Sequence, residues 1–139
     1  MKSYITEKTL NEKKNAVQMK SDFYRVPKEL FRSERYKDLN PNAKIIYIEL
    51  LDRIGLSIKN GWKDEKDRYY VKLSKESVPK VLGISSKTFD RCKDPLIDHE
   101  LIEIRKINSR VHLIYVSLPR EAATRTGDYD RFLHELPDF

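Results

Sequence analysis

At 139 residues and 16.5 kDa the chain has the length of one domain with arms, long enough to bury a core, and its 39% hydrophobic and 36% charged residues describe a folded protein with a very polar surface. A net charge of +6 and a pI near 9.3 favour an acidic partner, nucleic acid being the commonest, although a basic solvated domain has the same composition. No apolar run approaches the ~20 residues of a transmembrane helix, the N-terminus lacks a signal-peptide core, and one cysteine, Cys92, with scattered His99, His112 and His134, excludes an internal disulfide and a typical structural zinc site while fitting the cytoplasm.

Residues 1–22 are charged and weakly periodic, with Leu10, Val17 and Met19 as sparse apolar points; they are expected to form an N-terminal arm, partly helical or frayed, whose lysines are in reach of a phosphate backbone. Organisation begins at Phe23. Tyr24 to Pro27 is extended by the pre-proline restriction, and Pro27 suits the start of a short helix carrying Leu30 and Phe31. Asn40 is a good N-cap and Pro41 a good first helical residue, opening a helix over Ala43 to Ile58. Ile46, Leu50, Ile54 and Ile58 form one line on it, flanked by Tyr47 and Leu51, and Asn60-Gly61 stops it.

Trp62 then opens a polar loop, KDEKDR, before a short strand over Tyr69 to Leu73. Ser74 is the expected N-cap of a helix carrying Val78, Val81 and Leu82; Pro79 predicts that it is short or bent, and Gly83 ends it. Ser85 or Ser86 caps the next helix, with Phe89, Cys92, Leu96 and the stem of Lys93 inward and Lys87, Thr88, Arg91 and Asp94 outward. Asp94-Pro95 predicts a kink or interruption. Two strands follow, Leu101 to Lys106 and Val111 to Val116, joined by a turn over Ile107 to Arg110. That order is an α+β winged helix-turn-helix with a two-stranded wing, over residues 23–118. Residues 119–139 read as a C-terminal extension or linker towards an absent domain: a loop over Ala122 to Gly127, then a short helix capped by Asp128 with Tyr129, Phe132, Leu133 and Leu136 on one face, for docking on the core or contact with a partner.

The stretches FYRVPKELF (23–31), LNPNAKIIYIELLDRIGLSIKNGW (39–62) and the run from Tyr69 through VLGISSKT to LIEIRK (101–106) resemble the N-terminal domain of the RepA_N replication initiators of Gram-positive plasmids. The resemblance implies a winged-helix domain that binds repeated sites at a plasmid origin. It also implies a separate C-terminal domain with host-linked roles, a fold like that of the N-terminal domain of the primosomal protein DnaD, and self-association as dimers or higher oligomers. This chain departs from the family pattern in two places where glycine is usual. Lys66-Asp67 replaces Asn-Gly, which predicts a looser turn, and Glu100 precedes the first wing strand.

In such a fold the N-terminal part of the second helix of the motif faces the major groove. Ser85 and Ser86 suit phosphate at a helix N-terminus. Lys87 and Arg91 lie on one face, and Arg91 has the geometry to donate twice to guanine. Thr88 suits a thymine methyl or a phosphate. Asp90 and Asp94 either pair with Lys87 or Arg91 or accept from a cytosine amino group. Lys106, Asn108, Ser109 and Arg110 form the wing surface, suited to phosphate or a minor groove. Trp62, Tyr69 and Tyr70 either stack on bases or pack the domain, whereas His112 and Cys92 have the phase of structural residues.

Enzymatic motifs are missing from the sequence: there is no phosphate-cradling glycine loop, no nucleophile elbow and no HExxH. Asp64, Glu65 and Asp67 lie in a lysine-interleaved loop without the scaffold a metal nuclease requires. No enzymatic activity and no cofactor are expected. The expected function is sequence-specific binding of double-stranded DNA at origin repeats (iterons) to initiate plasmid replication, with host replication proteins met through the C-terminal domain and no membrane partner. The rivals are a winged-helix assembly module and a transcriptional repressor.

Overall fold

A computed structural model describes residues 4–11 and 23–120. The expected C-terminal loop and helix, and the arm beyond residue 11, lie outside the described residues. Within the arm, α1 (Glu7–Asn11) is a single turn, and Thr6 and Thr9 exchange backbone and hydroxyl hydrogen bonds at its start.

The chain enters the domain through an extended segment that ends in α2 (Glu29–Arg32), whose first turn closes on the Pro27 carbonyl. Leu30 is buried there, while Phe31 stays exposed beneath the Lys44 ammonium, 4.9 Å from its ring centre. The Tyr24 hydroxyl donates to Glu49 at 2.6 Å, tying the segment to the next helix, and that bond pushes the Tyr24 pKa up to about 12. A single 3₁₀ turn (Glu34–Tyr36) follows.

The main core helix, α3, runs from Pro41 to Asn60, starting two residues earlier than its apolar pattern. Asn40 Oδ1 accepts from the Ala43 amide at 2.8 Å, and Pro41 occupies the first turn, where no N–H is needed. Ile46, Tyr47, Leu50, Leu51 and Ile54 are buried as the spacing requires, but Ile58 lies at the exposed end of the line. Gly61, at φ 70°, adopts the left-handed conformation that lets its own amide and that of Trp62 close the last turn on Ile58 and Ser57. Ser57, fully buried, donates to the Tyr70 carbonyl at 2.7 Å and so fastens the end of α3 to the chain entering the sheet. The Tyr47 hydroxyl does the same at the far edge, donating to the Ser117 carbonyl at 2.8 Å.

The short strand β1 (Val71–Ser74) does not stand apart from the hairpin of β2 (Ile102–Lys106) and β3 (Val111–Val116). It pairs antiparallel with β3, giving a three-stranded sheet in the order β1-β3-β2. The register Val71↔Ile114 and Ile104↔Ile114 puts these apolar residues on the face that packs on the helices. Leu113 and Tyr115 point to the opposite face and are also buried. Tyr115 is covered by the loop after Trp62: Arg68 lies over its ring at 4.4 Å, and Tyr70 meets that ring edge-on.

Ser74 is not the cap of the next helix. It ends β1, and Ser74 and Ser77 exchange hydrogen bonds between backbone and hydroxyl groups, so α4 starts only at Val78 and runs to Leu82. Pro79 therefore falls in the first turn, where a missing N–H costs nothing, and the helix is short as expected. Gly83, at φ 68°, ends it. The helix α5 (Ser86–Asp98) begins at Ser85, whose Oγ accepts from the Thr88 amide at 3.1 Å. It buries Phe89, Cys92 and Leu96. Pro95 does not interrupt it: the helix continues to Asp98, and the one carbonyl that loses its partner belongs to Arg91, an exposed residue.

The two positions where glycine is usual in the family keep its geometry with other residues. Asp67 and Glu100 adopt φ of 63° and 60°. The turn at Asp67 is not loosened: Asp64 Oδ1 accepts from the Lys66 and Arg68 amides at 2.8 and 3.0 Å, and the Asp67 amide donates to the Asp64 carbonyl. Glu100 is clamped by Arg120 at 2.6 Å, and the Arg120 amide in turn donates to the Tyr36 hydroxyl. These contacts fix Arg120 beside the α5–β2 turn.

Candidate nucleic-acid interface

On α5, the outward face carries Lys87 and Arg91 one turn apart, both exposed. Behind them the hydroxyl groups are largely committed. Ser85 Oγ accepts from the Thr88 amide and donates to Thr88 Oγ1 at 2.9 Å, and Ser86 Oγ donates to the Lys75 carbonyl at 2.9 Å. What this helix start offers an anion is thus chiefly backbone: the Ser86 and Lys87 amides belong to the first turn and have no intrahelical acceptor. Thr88 Oγ1 accepts from Ser85 and, at 3.4 Å, from Arg91, which leaves its own proton free to point outward.

The expected pairing of the carboxylates with Lys87 or Arg91 is not found. Asp90 pairs with Lys93 at 3.6 Å instead, because its helical phase turns it towards the wing. Asp94 is exposed and, among the described residues, has no ion pair. Lys87 and Arg91 therefore form no ion pair among the described residues.

On the wing, Lys106 sits opposite His112 in the register, on the sheet face that also packs on α5. The tip is shaped by Asn108, whose Oδ1 accepts from the Arg110 and Val111 amides at 2.8 and 2.9 Å. That side chain is a hinge pin for the turn, and it leaves Ser109 and Arg110 exposed. Between α5 and the wing lies a cleft of about 240 Å³. Lys75, Lys93 and His112 line it, and none of them was expected at the site. For Lys93 the signal was its phase beside the inner stripe. Lys75 had none, since only the Ser86 hydrogen bond brings it there.

The acidic loop after Trp62 is on the other face of the sheet and has a structural occupation. Burial opposes ionisation of Asp64, but the Arg68 and Lys66 amides and the Arg68 guanidinium outweigh it and hold its carboxyl well below the usual carboxylate range. Glu65 is lowered too, by its own backbone amide and by Arg105 at 3.1 Å. Asp67 pairs with Lys63 at 3.1 Å. Tyr70 packs on Tyr115, whereas Trp62 remains partly exposed.

The comparisons with known proteins bear on the whole domain. The family described as replication initiator protein A (RepA) N-terminus matches residues 22–124. The "41 kDa protein" of Lactobacillus helveticus is 30% identical over 84 residues, which are 60% of this chain and 24% of that protein, so the chain spans about a quarter of this curated relative's length. A solved structure described as "N-Terminal domain of DNA binding protein" is 27% identical with a TM-score of 0.66, over 94% of this chain and 96% of its own. A second, "Structure of Rep-DNA complex", is also 27% identical with a TM-score of 0.66, over 92% and 95% of the two chains. A third, "Structure of MDR initiator", is 26% identical with a TM-score of 0.62, over 93% and 98%. Fold, extent and sequence thus agree, and the chain belongs to the family of replication initiator protein A (RepA) N-terminal domains.

Proposed function

We propose that this chain is the sequence-specific double-stranded DNA-binding domain of a plasmid replication initiator, acting at repeated origin sites (iterons). The observation that carries the reading is the exposed Lys87, Arg91, Lys106 and Arg110, which form no ion pair among the described residues, on a fold shared, over 92% of the chain, with a protein solved as a Rep-DNA complex. Arg91 reads a base from the major groove, Lys87 and Thr88 contact bases or phosphate, and the amides of Ser86 and Lys87 take a phosphate. Lys106, Ser109 and Arg110 grip the strand at the wing, with Asn108 shaping the turn. Ser85 serves through the cap that presents these groups.

Self-association supplies the specificity that one small domain lacks, either as a dimer on inverted half-sites or as monomers on direct repeats. Host replication proteins are met by a part of the protein outside this chain. The test is a titration against an origin duplex and a scrambled duplex across roughly 50 to 200 mM salt, a range over which phosphate contacts weaken strongly. Preference for the origin duplex that persists at the upper salt supports the reading. Equal binding that collapses with salt transfers the domain to the assembly-module class.

A further inference from the structure

The cleft between α5 and the wing has an apolar floor, including Leu73, Phe89 and Ile114, beneath a charged rim. The rim cations come from three separate elements: Lys75 from the β1–α4 turn, Lys93 from α5 and Arg110 from the wing. Asp90 is the one carboxylate among the lining residues, and it holds Lys93 in a pair with both side chains partly exposed. The bond from Ser86 to the Lys75 carbonyl fixes one bank of the cleft to the start of α5.

We propose that this cleft seats one sugar-phosphate strand of the duplex, with Lys75 and Lys93 as phosphate ligands beside Arg110, and with Asp90 as a counter-charge that the strand must displace. The inference rests on the DNA-binding reading above. If α5 lies in the major groove and the wing tip reaches the adjacent minor groove, the strand that separates the two grooves passes between them, over the cleft. The floor suits deoxyribose carbons, and the rim suits phosphodiester oxygens. A phosphate arriving at Lys93 competes directly with Asp90, so the pair keeps the seat weak in the free protein and penalises any strand that does not reach Lys93. Asp90 then sets affinity without reading a base.

The experiment measures the salt dependence of binding to origin and scrambled duplexes for the wild type, Lys75→Met, Lys93→Met, Lys93→Arg and Asp90→Asn, after thermal melting has matched their folds. Each Lys→Met change is expected to weaken both duplexes roughly three- to tenfold and to flatten the salt slope by about one, while Lys93→Arg restores the slope. Asp90→Asn is expected to tighten both duplexes and to steepen none of their difference. If the wild type binds but the Lys→Met variants keep its slope, the strand does not run through the cleft. If Asp90→Asn weakens the origin duplex alone, Asp90 reads a base and the counter-charge role is wrong. Tight binding of tripolyphosphate that Lys93→Met abolishes, with duplex binding intact, makes the cleft a site for free anions and overturns the assignment. A wild type that binds neither duplex removes the DNA-binding reading itself, and the strand seat with it.

Discussion

The two faces of the sheet carry similar side chains to different ends. On the outer face Asp64 pairs with Arg68, Glu65 with Arg105 and Asp67 with Lys63, so opposite charges cancel and the loop after Trp62 becomes a lid over Tyr115. On the helix side Lys87, Lys106 and Arg110 are exposed and form no ion pair among the described residues. Composition counts both groups alike. What separates a binding surface from a structural one is which cations are left with their field intact, and that depends on pairing.

The comparison breaks most visibly at Asp64. Its side chain is 2% exposed and accepts from two amides and a guanidinium, so Asp64→Ala leaves those donors unmet and should cause the largest fall in melting temperature among changes to the charged residues of the two faces. DNA affinity at a temperature where the variant is folded should be unchanged; a matching loss of affinity would merge the two regions. On the other side, Arg91→Ala should leave the melting temperature in place and remove about 1–3 kcal/mol of discrimination at one base position, read by competition between singly substituted duplexes. Unaltered base preference would mean that the recognition face lies elsewhere.

Acid should separate the faces as well. The folded Asp64 pKa lies below its unfolded value of about 3.9, so its contribution is complete above that value and is lost as pH falls through it towards the folded one. Melting curves from neutral to acid pH should show this loss in the wild type and a reduced one in Asp64→Asn. Lys106→Ala should weaken all duplexes alike and lower the salt slope by about one, with no effect on base preference. The smallest effect belongs to Asp67→Gly: relief of a left-handed non-glycine residue should raise stability by up to about 1 kcal/mol in chemical denaturation, less what is lost with the Lys63 pair and in chain entropy.

Much of the candidate site was legible beforehand. The phase of Phe89, Cys92 and Leu96 and the exposure of Lys87 and Arg91 are properties of one helix and stand as the sequence predicts, and of the two candidate caps the structure selects Ser85. The partner of Asp90 was misassigned because three candidate cations lie within one turn of it, and side-chain direction towards the wing selects Lys93. Lys75 was illegible, being eleven residues from the hydroxyl that holds it in place.

From its sequence alone this protein determined its helices, their stops and the hairpin. The Asn40 cap, the Gly61 and Gly83 terminations and the apolar spacing of α3 all act between residues a few positions apart, where backbone geometry and solvation are enough. Only the tertiary structure decided that β1 joins β3, that the acidic loop covers Tyr115, that Arg120 clamps the left-handed Glu100, and that three cations meet at one cleft. Those outcomes rest on contacts between distant segments. No local pattern encodes them, because each partner gains its energy only once the other has been brought beside it.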